Sequence, residues 1–318
     1  MTTHRSSLPQ LGSGLFLTDG GIETTLIFLE GLELPDFAAF HLLRTKQGEA
    51  ALRSYFETYA ALADRHGAGL VLESPTWRAS ADWGAKLGYS ARELLEANQK
   101  AIALMEELRS SMRGGMARSV ISGCIGPRGD GYAPGRAMSA REAAEYHAAQ
   151  ARAFADSAAD MITAITMNYA EEAIGIAQAA ERARIPVAIS FTVETDGRLP
   201  TGQALGDAID AVDAATFGYP VYYMVNCAHP THFEGALEEG APWTARLRGV
   251  RANASRKSHA ELNESTELDS GDPEEFGLQH AALRKRFPHL CVMGGCCGTD
   301  HRHVEAIAAA CSPRLADA

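Results

Sequence analysis

Eight short runs of β-branched, aromatic and other apolar residues, most of them separated by stretches of helical character, set the strongest limit on how this chain can fold. The runs are Leu15 to Thr18, Leu70 to Glu73, Val120 to Gly123, Met161 to Thr166, Val187 to Thr192, Tyr222 to Asn226, Leu247 to Ala252 and Cys291 to Gly294. Good helix formers with helical period fill Ala91 to Met112, Ala140 to Ala158, Ala170 to Ala183, Glu274 to Phe287 and His301 to Cys311. A strand that pairs parallel with its neighbour needs a crossover long enough to carry a helix, so the alternation predicts a parallel sheet. An open doubly wound sheet shares the pattern. Eight units favour closure into a (β/α)8 TIM barrel, and 318 residues suit one such barrel as a single domain. The expected division is a disordered or loosely packed N-terminus over residues 1–14 and one barrel over 15–318.

No apolar run approaches the roughly 20 residues that span a bilayer, so a membrane protein is not expected. The opening MTTHRSSLPQLGSGLFLTDGG has one arginine and only a short apolar stretch, unlike a secretory signal, and the expected location is cytoplasmic. A formal net charge of -11 with scattered Lys and Arg argues against nucleic acid as a partner, and RKRF at 284–287 reads as the end of a helix. Six cysteines in a long chain of this kind are few for a disulfide scaffold and point to metal ligands or core residues. The oligomeric state stays open between monomer and homodimer.

In such barrels the chemistry sits in the loops after the strands. Those positions here hold Asp19-Gly20-Gly21, Glu73-Ser74-Pro75-Thr76-Trp77, Cys124, Thr166-Met167-Asn168, Glu194, Asn226-Cys227-Ala228-His229 and Gly295-Cys296-Cys297-Gly298. The polar stretch from Ser255 to Asp272 follows the seventh strand and would serve as a lid or binding loop. Neighbouring Cys296 and Cys297 can reach one ion only where the backbone turns sharply, and the glycines around them supply that freedom. Zinc in catalytic sites takes three protein ligands, thiolate among the favoured ones, and Cys227 on the same rim is the natural third. The competing reading is a strained vicinal disulfide or core packing. Cys291 and Cys311 read as core, Cys124 faces the rim, and His229 reads as a loop histidine or a ligand. Thr299 or Asp300 reads as the cap of the last helix.

The chain resembles the homocysteine S-methyltransferase family. The resemblance is carried by DGG at Asp19 to Gly21, SGCIGPRGDGY at Ser122 to Tyr132, SFTVETDGRLPTG at Ser190 to Gly202, Asn226-Cys227, and GGCCGT at Gly294 to Thr299. It implies that Cys227, Cys296 and Cys297 are catalytic zinc ligands and that Zn2+ is the cofactor. The implied partners are a small-molecule thiol, homocysteine in the family, and a methyl donor such as S-methylmethionine. The resemblance also implies that Asp19 helps hold the amino-acid acceptor and that Ser74, with Thr76 beside it, meets its carboxylate, with Asn226 grouped among the substrate contacts.

One departure stands out. Family members carry a glutamate at the end of strand four for the acceptor's ammonium group, and this chain has Ile165 there. Glu73, Glu194 or Asn168 is then expected to supply the contact, or the acceptor is a different thiol, or the barrel binds zinc and thiol without turnover. Trp77, Trp83 and Tyr132 are expected to offer an aromatic surface to a cationic donor, an attraction worth roughly 0.5–2 kcal/mol.

Overall fold

A computed structural model describes residues 4–112, 118–265 and 267–312. Eight strands, β1 (Phe16–Leu17), β2 (Gly69–Glu73), β3 (Ser119–Ile125), β4 (Met161–Met167), β5 (Val187–Phe191), β6 (Tyr222–Asn226), β7 (Leu247–Ala252) and β8 (Val292–Gly295), pair in sequence order. All pairs are parallel, and β1 also pairs with β8 through Phe16 opposite Val292, which closes the barrel. This settles the sequence reading in favour of the closed barrel over the open sheet. No helix among the described residues is long and apolar enough to cross a membrane.

Local chemistry explains the outer helices. Ser90 with Glu93 and Ser139 with Glu142 form capping boxes that start α3 (Ala91–Ser111) and α4 (Ala140–Ala155). Asp272 caps α9 (Pro273–Arg286), and Pro273 costs nothing in a first turn where no helical partner exists for its missing N–H. Helix α1 (Lys46–His66) stops at Gly67, whose φ of 60° suits a left-handed C-terminal turn. Asp300, expected as a cap, accepts from the Arg302 N–H and starts α10 (His301–Cys311). The remaining helices are α2 (Ala81–Lys86), α5 (Ala170–Ala183), α6 (Leu205–Thr216), α7 (Pro230–Phe233) and α8 (His259–Glu264).

The strands alternate between two cores. Phe16, Val71, Val120, Met161, Ala188, Tyr222, Met224 and Val292 fill the barrel, while Leu17, Leu70, Leu72, Ile121, Ile162 and Val225 pack beneath the helices. Towards the C-terminal end the inward side chains turn polar: Glu73 follows Val71, and Arg251 follows Gly249.

The N-terminus departs from expectation. Residues 4–12 close the bottom of the barrel rather than packing loosely, with Leu8 in the inner core and Gln10 fully buried. Arg5 donates to the carbonyls of Ala155 (3.0 Å) and Ala159 (2.7 Å), and the Cys291 thiol donates to the Gln10 carbonyl (3.0 Å). Residues 1–3 and 313–318 lie outside the described residues. Beside this plug, buried Arg109 on α3 donates to Asp160 at 2.7 Å, and Asp160 also accepts from the Ile121 N–H at 3.0 Å. Arg109→Leu removes one charged donor from a carboxylate that keeps the N–H groups of Ile121 and His4, and we expect a loss of about 1–3 kcal/mol in urea unfolding.

Candidate active site

The three cysteines converge on the C-terminal rim. Cys227 follows β6 with φ of 53°, a left-handed conformation that a residue with a side chain adopts only when its surroundings hold it. The hold is visible: the Cys227 N–H donates to the Arg251 carbonyl (3.1 Å), and the Cys227 carbonyl accepts from His259 Nε2 (2.6 Å) and Thr192 Oγ1 (3.4 Å). After β8, the Cys296 N–H donates to the Ala252 carbonyl (2.8 Å), and Thr299 Oγ1 donates back to the Cys296 carbonyl (2.7 Å). Of the glycines around this turn, Gly298 alone takes a left-handed φ, 80°, and a Cβ there would lie 2.7 Å from the Asp269 carbonyl. Gly294 and Gly295 instead give Thr18 and Thr299 room to approach.

The three Sγ atoms lie within 4.8 Å of one another, with Cys227 and Cys297 at 3.7 Å. All six cysteines are free, so the vicinal disulfide is not formed. Tetrahedral zinc with Zn–S near 2.3 Å sets its thiolates about 3.8 Å apart, which the Cys227–Cys297 separation matches. The three thiols are pushed above the ordinary cysteine range, Cys227 chiefly by its hydrogen bond with Cys296. Such a cluster resists ionising until a cation compensates it, and the residues therefore fit a zinc ion.

Tyr132 stands over the sulfurs, its hydroxyl 3.5 Å from Cys227 Sγ and 3.3 Å from Cys297 Sγ. Its ring stacks on His259 with centroids 4.1 Å apart. His259 Nδ1 meets Glu194 Oε1 at 3.1 Å, and Asn168 Nδ2 donates to the carbonyls of Asp130 (3.0 Å) and Gly131 (3.3 Å). Glu194 and Asn168, expected at the ammonium group, thus orient His259 and the Tyr132 loop instead. Neither lines the cavity.

Beneath the sulfurs lies a buried ion triad. Arg251 Nη2 donates to Asp19 Oδ1 (2.6 Å), Arg251 Nη1 pairs with Glu73, and Tyr55 donates to Asp19 Oδ2 (2.9 Å). Burial pushes both carboxyls up, and the guanidinium opposes it. Asp19 and Glu73 do line the cavity, but their charge is directed at Arg251, which the sequence reading did not single out. The signal was present: Arg251 is a charged residue two places after Gly249 on the inward face of a strand.

Other expected contacts are internal. Thr76 Oγ1 donates to the Cys124 carbonyl (2.7 Å), so Ser74 Oγ must donate to Thr76 Oγ1 (2.7 Å) while accepting from the Cys124 N–H (3.0 Å). Thr76 is fully buried, and Ser74 has no donor left for a carboxylate. Asn226 is also fully buried: its Oδ1 accepts from the Thr166 N–H (2.9 Å) and Ser190 Oγ (2.6 Å), and its Nδ2 donates to Thr166 Oγ1 (2.8 Å). It locks the rim of β4, β5 and β6. Trp77 lines the cavity, but the Arg78 guanidinium lies over both its ring (4.0 Å) and that of Trp83 (3.8 Å), so the aromatic surface already serves an internal cation. His229 Nδ1 pairs with Thr231 Oγ1 (2.8 Å), away from the sulfurs. Cys124 lines the cavity as a thiol whose pKa burial raises.

The cavity holds about 330 Å³ and reaches from Asp19 and Glu73 past all three cysteines to Leu262, Leu268 and Asp269 of the 255–272 stretch, which thus forms one wall. Ile165 lies on the wall where the family glutamate would be. Glu23 and Arg78, both missed from the sequence, also line it. Burial pushes the Glu23 carboxyl up to about 7.

A (β/α)8 barrel that gathers three thiols at the rim where such barrels carry their chemistry defines a barrel enzyme whose cysteines could hold a metal ion. More narrowly, the profile of the homocysteine S-methyltransferase family matches residues 16–311, and this chain belongs to that family of methyltransferases. Among solved structures, the metallated form of the homocysteine methyltransferase MmuM from Escherichia coli is 20% identical with a TM-score of 0.72, covering 96% of this chain and 98% of that one. Its oxidized form is 22% identical with a TM-score of 0.71, covering 95% and 98%. This likeness shows a shared fold. No curated protein sequence matches the chain.

Two outcomes follow from the charges. Arg251→Met leaves two buried carboxylates uncompensated, with an expected loss of about 3–5 kcal/mol in denaturant unfolding. Glu23 holds its proton more tightly folded than unfolded, so its contribution to stability is complete below the usual carboxylate range and lost as pH rises through about 7. Glu23→Gln should therefore gain in melting temperature over the parent from about pH 5 to about pH 8; a constant difference would show that the carboxyl is solvated.

Proposed function

We propose that the protein moves a methyl group from a sulfonium or quaternary ammonium donor, such as S-methylmethionine, to the thiol of homocysteine, giving methionine. The convergence of Cys227, Cys296 and Cys297 carries this reading, together with family membership. Zinc held by these three residues supplies the positive charge that keeps an acceptor thiol ionised near neutral pH. The acceptor sulfur's lone pair makes the new bond to the methyl carbon, and the electron pair of the broken bond leaves with the donor as a neutral thioether or amine. No redox change and no covalent enzyme intermediate is needed.

The chain's own residues prepare this step. His259, oriented by Glu194, fixes the Cys227 carbonyl and so the direction of its thiol. Tyr132 lies over the sulfurs, and the ring face not stacked on His259 is the surface offered to the donor's positive centre. Among the described residues lining the cavity, Asp19, Glu23, Glu73, Asp130, Glu267 and Asp269 outnumber the two cations Arg78 and Arg251, a balance that favours a cationic donor. The cytoplasm, where thiols stay reduced, is the fitting compartment.

Ile165 favours a second reading, transfer to a different thiol. A matrix of candidate thiols against candidate methyl donors, scored by mass spectrometry, separates the two. The purified protein should carry about one zinc per chain, as the three-thiolate site requires, and Cys297→Ser should lose both metal and transfer. Retained zinc in the parent with no transfer to any thiol would support a binding barrel instead.

A further inference from the structure

We propose that Arg78 and Glu23 form a paired charge site that grips the carboxylate and the ammonium group of an α-amino-acid acceptor. The inference rests on reading the cavity as the thiol pocket, and it names what replaces the missing strand-four glutamate.

Arg78 is 5% exposed, and its guanidinium lies over the rings of both Trp77 and Trp83. Its Nη1 donates to the Gly129 carbonyl at 2.9 Å, while its Nε is buried without a partner. Arg78 makes no salt bridge among the described residues, although Asp130 and then Glu23 act on its charge; a buried guanidinium without a directly bound anion is costly, and an orphaned N–H beside a cavity marks where a ligand belongs. With aromatic rings against its faces and Nη1 given to Gly129, the group keeps Nε and Nη2 as donors, the fork that binds a planar carboxylate through two parallel hydrogen bonds. Among the described residues lining the cavity, the other cation is Arg251, which Asp19 and Glu73 already neutralise.

Glu23 lines the same cavity and makes no ion pair among the described residues. It is carried on a segment tied to the cysteine turn: the Gly21 N–H donates to the Thr299 carbonyl (3.1 Å), and Thr24 Oγ1 accepts from the Gly298 N–H (3.0 Å). The other acidic groups on the wall are engaged or peripheral. Asp130 accepts from the Tyr132 N–H (2.8 Å), Asp269 accepts from Ser255 Oγ (2.7 Å), and Glu267 sits on the outer loop. Glu23 and Arg78 feel each other's charge but form no ion pair. That leaves room between them for a zwitterion whose side chain presents its thiol to the three cysteines. Ser74, with its donor committed to Thr76, cannot do the work of Arg78.

Calorimetry on the zinc-loaded protein, without methyl donor, tests this with three thiols: L-homocysteine, 4-mercaptobutyrate, which lacks the ammonium, and 3-aminopropanethiol, which lacks the carboxylate. Glu23→Gln should weaken homocysteine binding about tenfold and leave 4-mercaptobutyrate unchanged. Arg78→Leu should weaken homocysteine and 4-mercaptobutyrate and spare 3-aminopropanethiol. Arg78→Lys, which keeps the charge without the planar fork, should fall between parent and Arg78→Leu, and it decides the matter if the leucine variant does not fold. Equal weakening of all three thiols, or unchanged homocysteine binding, overturns the proposal. A separate titration with S-methylmethionine in place of the thiols also overturns it if the loss is confined to that ligand, which would give the site to the donor. If the charge pattern holds while no methyl is transferred, the proposed reaction fails and the amino-acid site stands.

Discussion

The pairing of β1 with β8 is the constraint on which the rest depends. Once Phe16 and Leu17 join Val292 and Met293, the sheet has no edge, and every strand delivers its C-terminal end to one rim. Cys227 after β6 and Cys296 and Cys297 after β8 are far apart in sequence, and closure brings their sulfurs within 4.8 Å. The same closure sets Asp19 after β1 against Arg251 on β7.

Inside the barrel the packing grades from apolar to charged along the strand direction. Phe16, Val71, Tyr222 and Val292 exclude water from the lower layers, and residues 4–12 seal the end below them. Above them Arg251 binds Asp19 and Glu73 in a medium that screens charge poorly, so the triad is firmly held and keeps a surplus of negative charge under the thiols.

The rim stores conformational strain where the sulfurs are aimed. Cys227 and Thr166 both take left-handed backbone angles, with φ of 53° and 66°. Asn226 between them satisfies β4 and β5, while His259 and Thr192 hold the Cys227 carbonyl. Side chains that read as substrate contacts by position, Asn226, Glu194 and Thr76, are spent on holding this geometry.

The sequence by itself determined the architecture and the thiol cluster. Short apolar runs alternating with helical segments locate all eight strands, with β6 and β7 matching residue for residue, because a strand buried on both faces leaves an unbroken apolar signature. Three cysteines in unusual contexts on one rim were legible because thiols beside glycine turns have few other uses. Tertiary structure alone decided which polar groups line the cavity. A hydroxyl or carboxylate at a strand end looks the same in sequence whether it meets a ligand or a neighbour, and the hydrogen bonds that commit Ser74, Asn226 and Glu194 come from residues 36 to 65 positions away. For the same reason Arg251, Glu23 and Arg78 stayed hidden: which charges are paired across the barrel, as Arg251 is, and which line the cavity without an ion pair, as Glu23 and Arg78 do, are properties of distance in space.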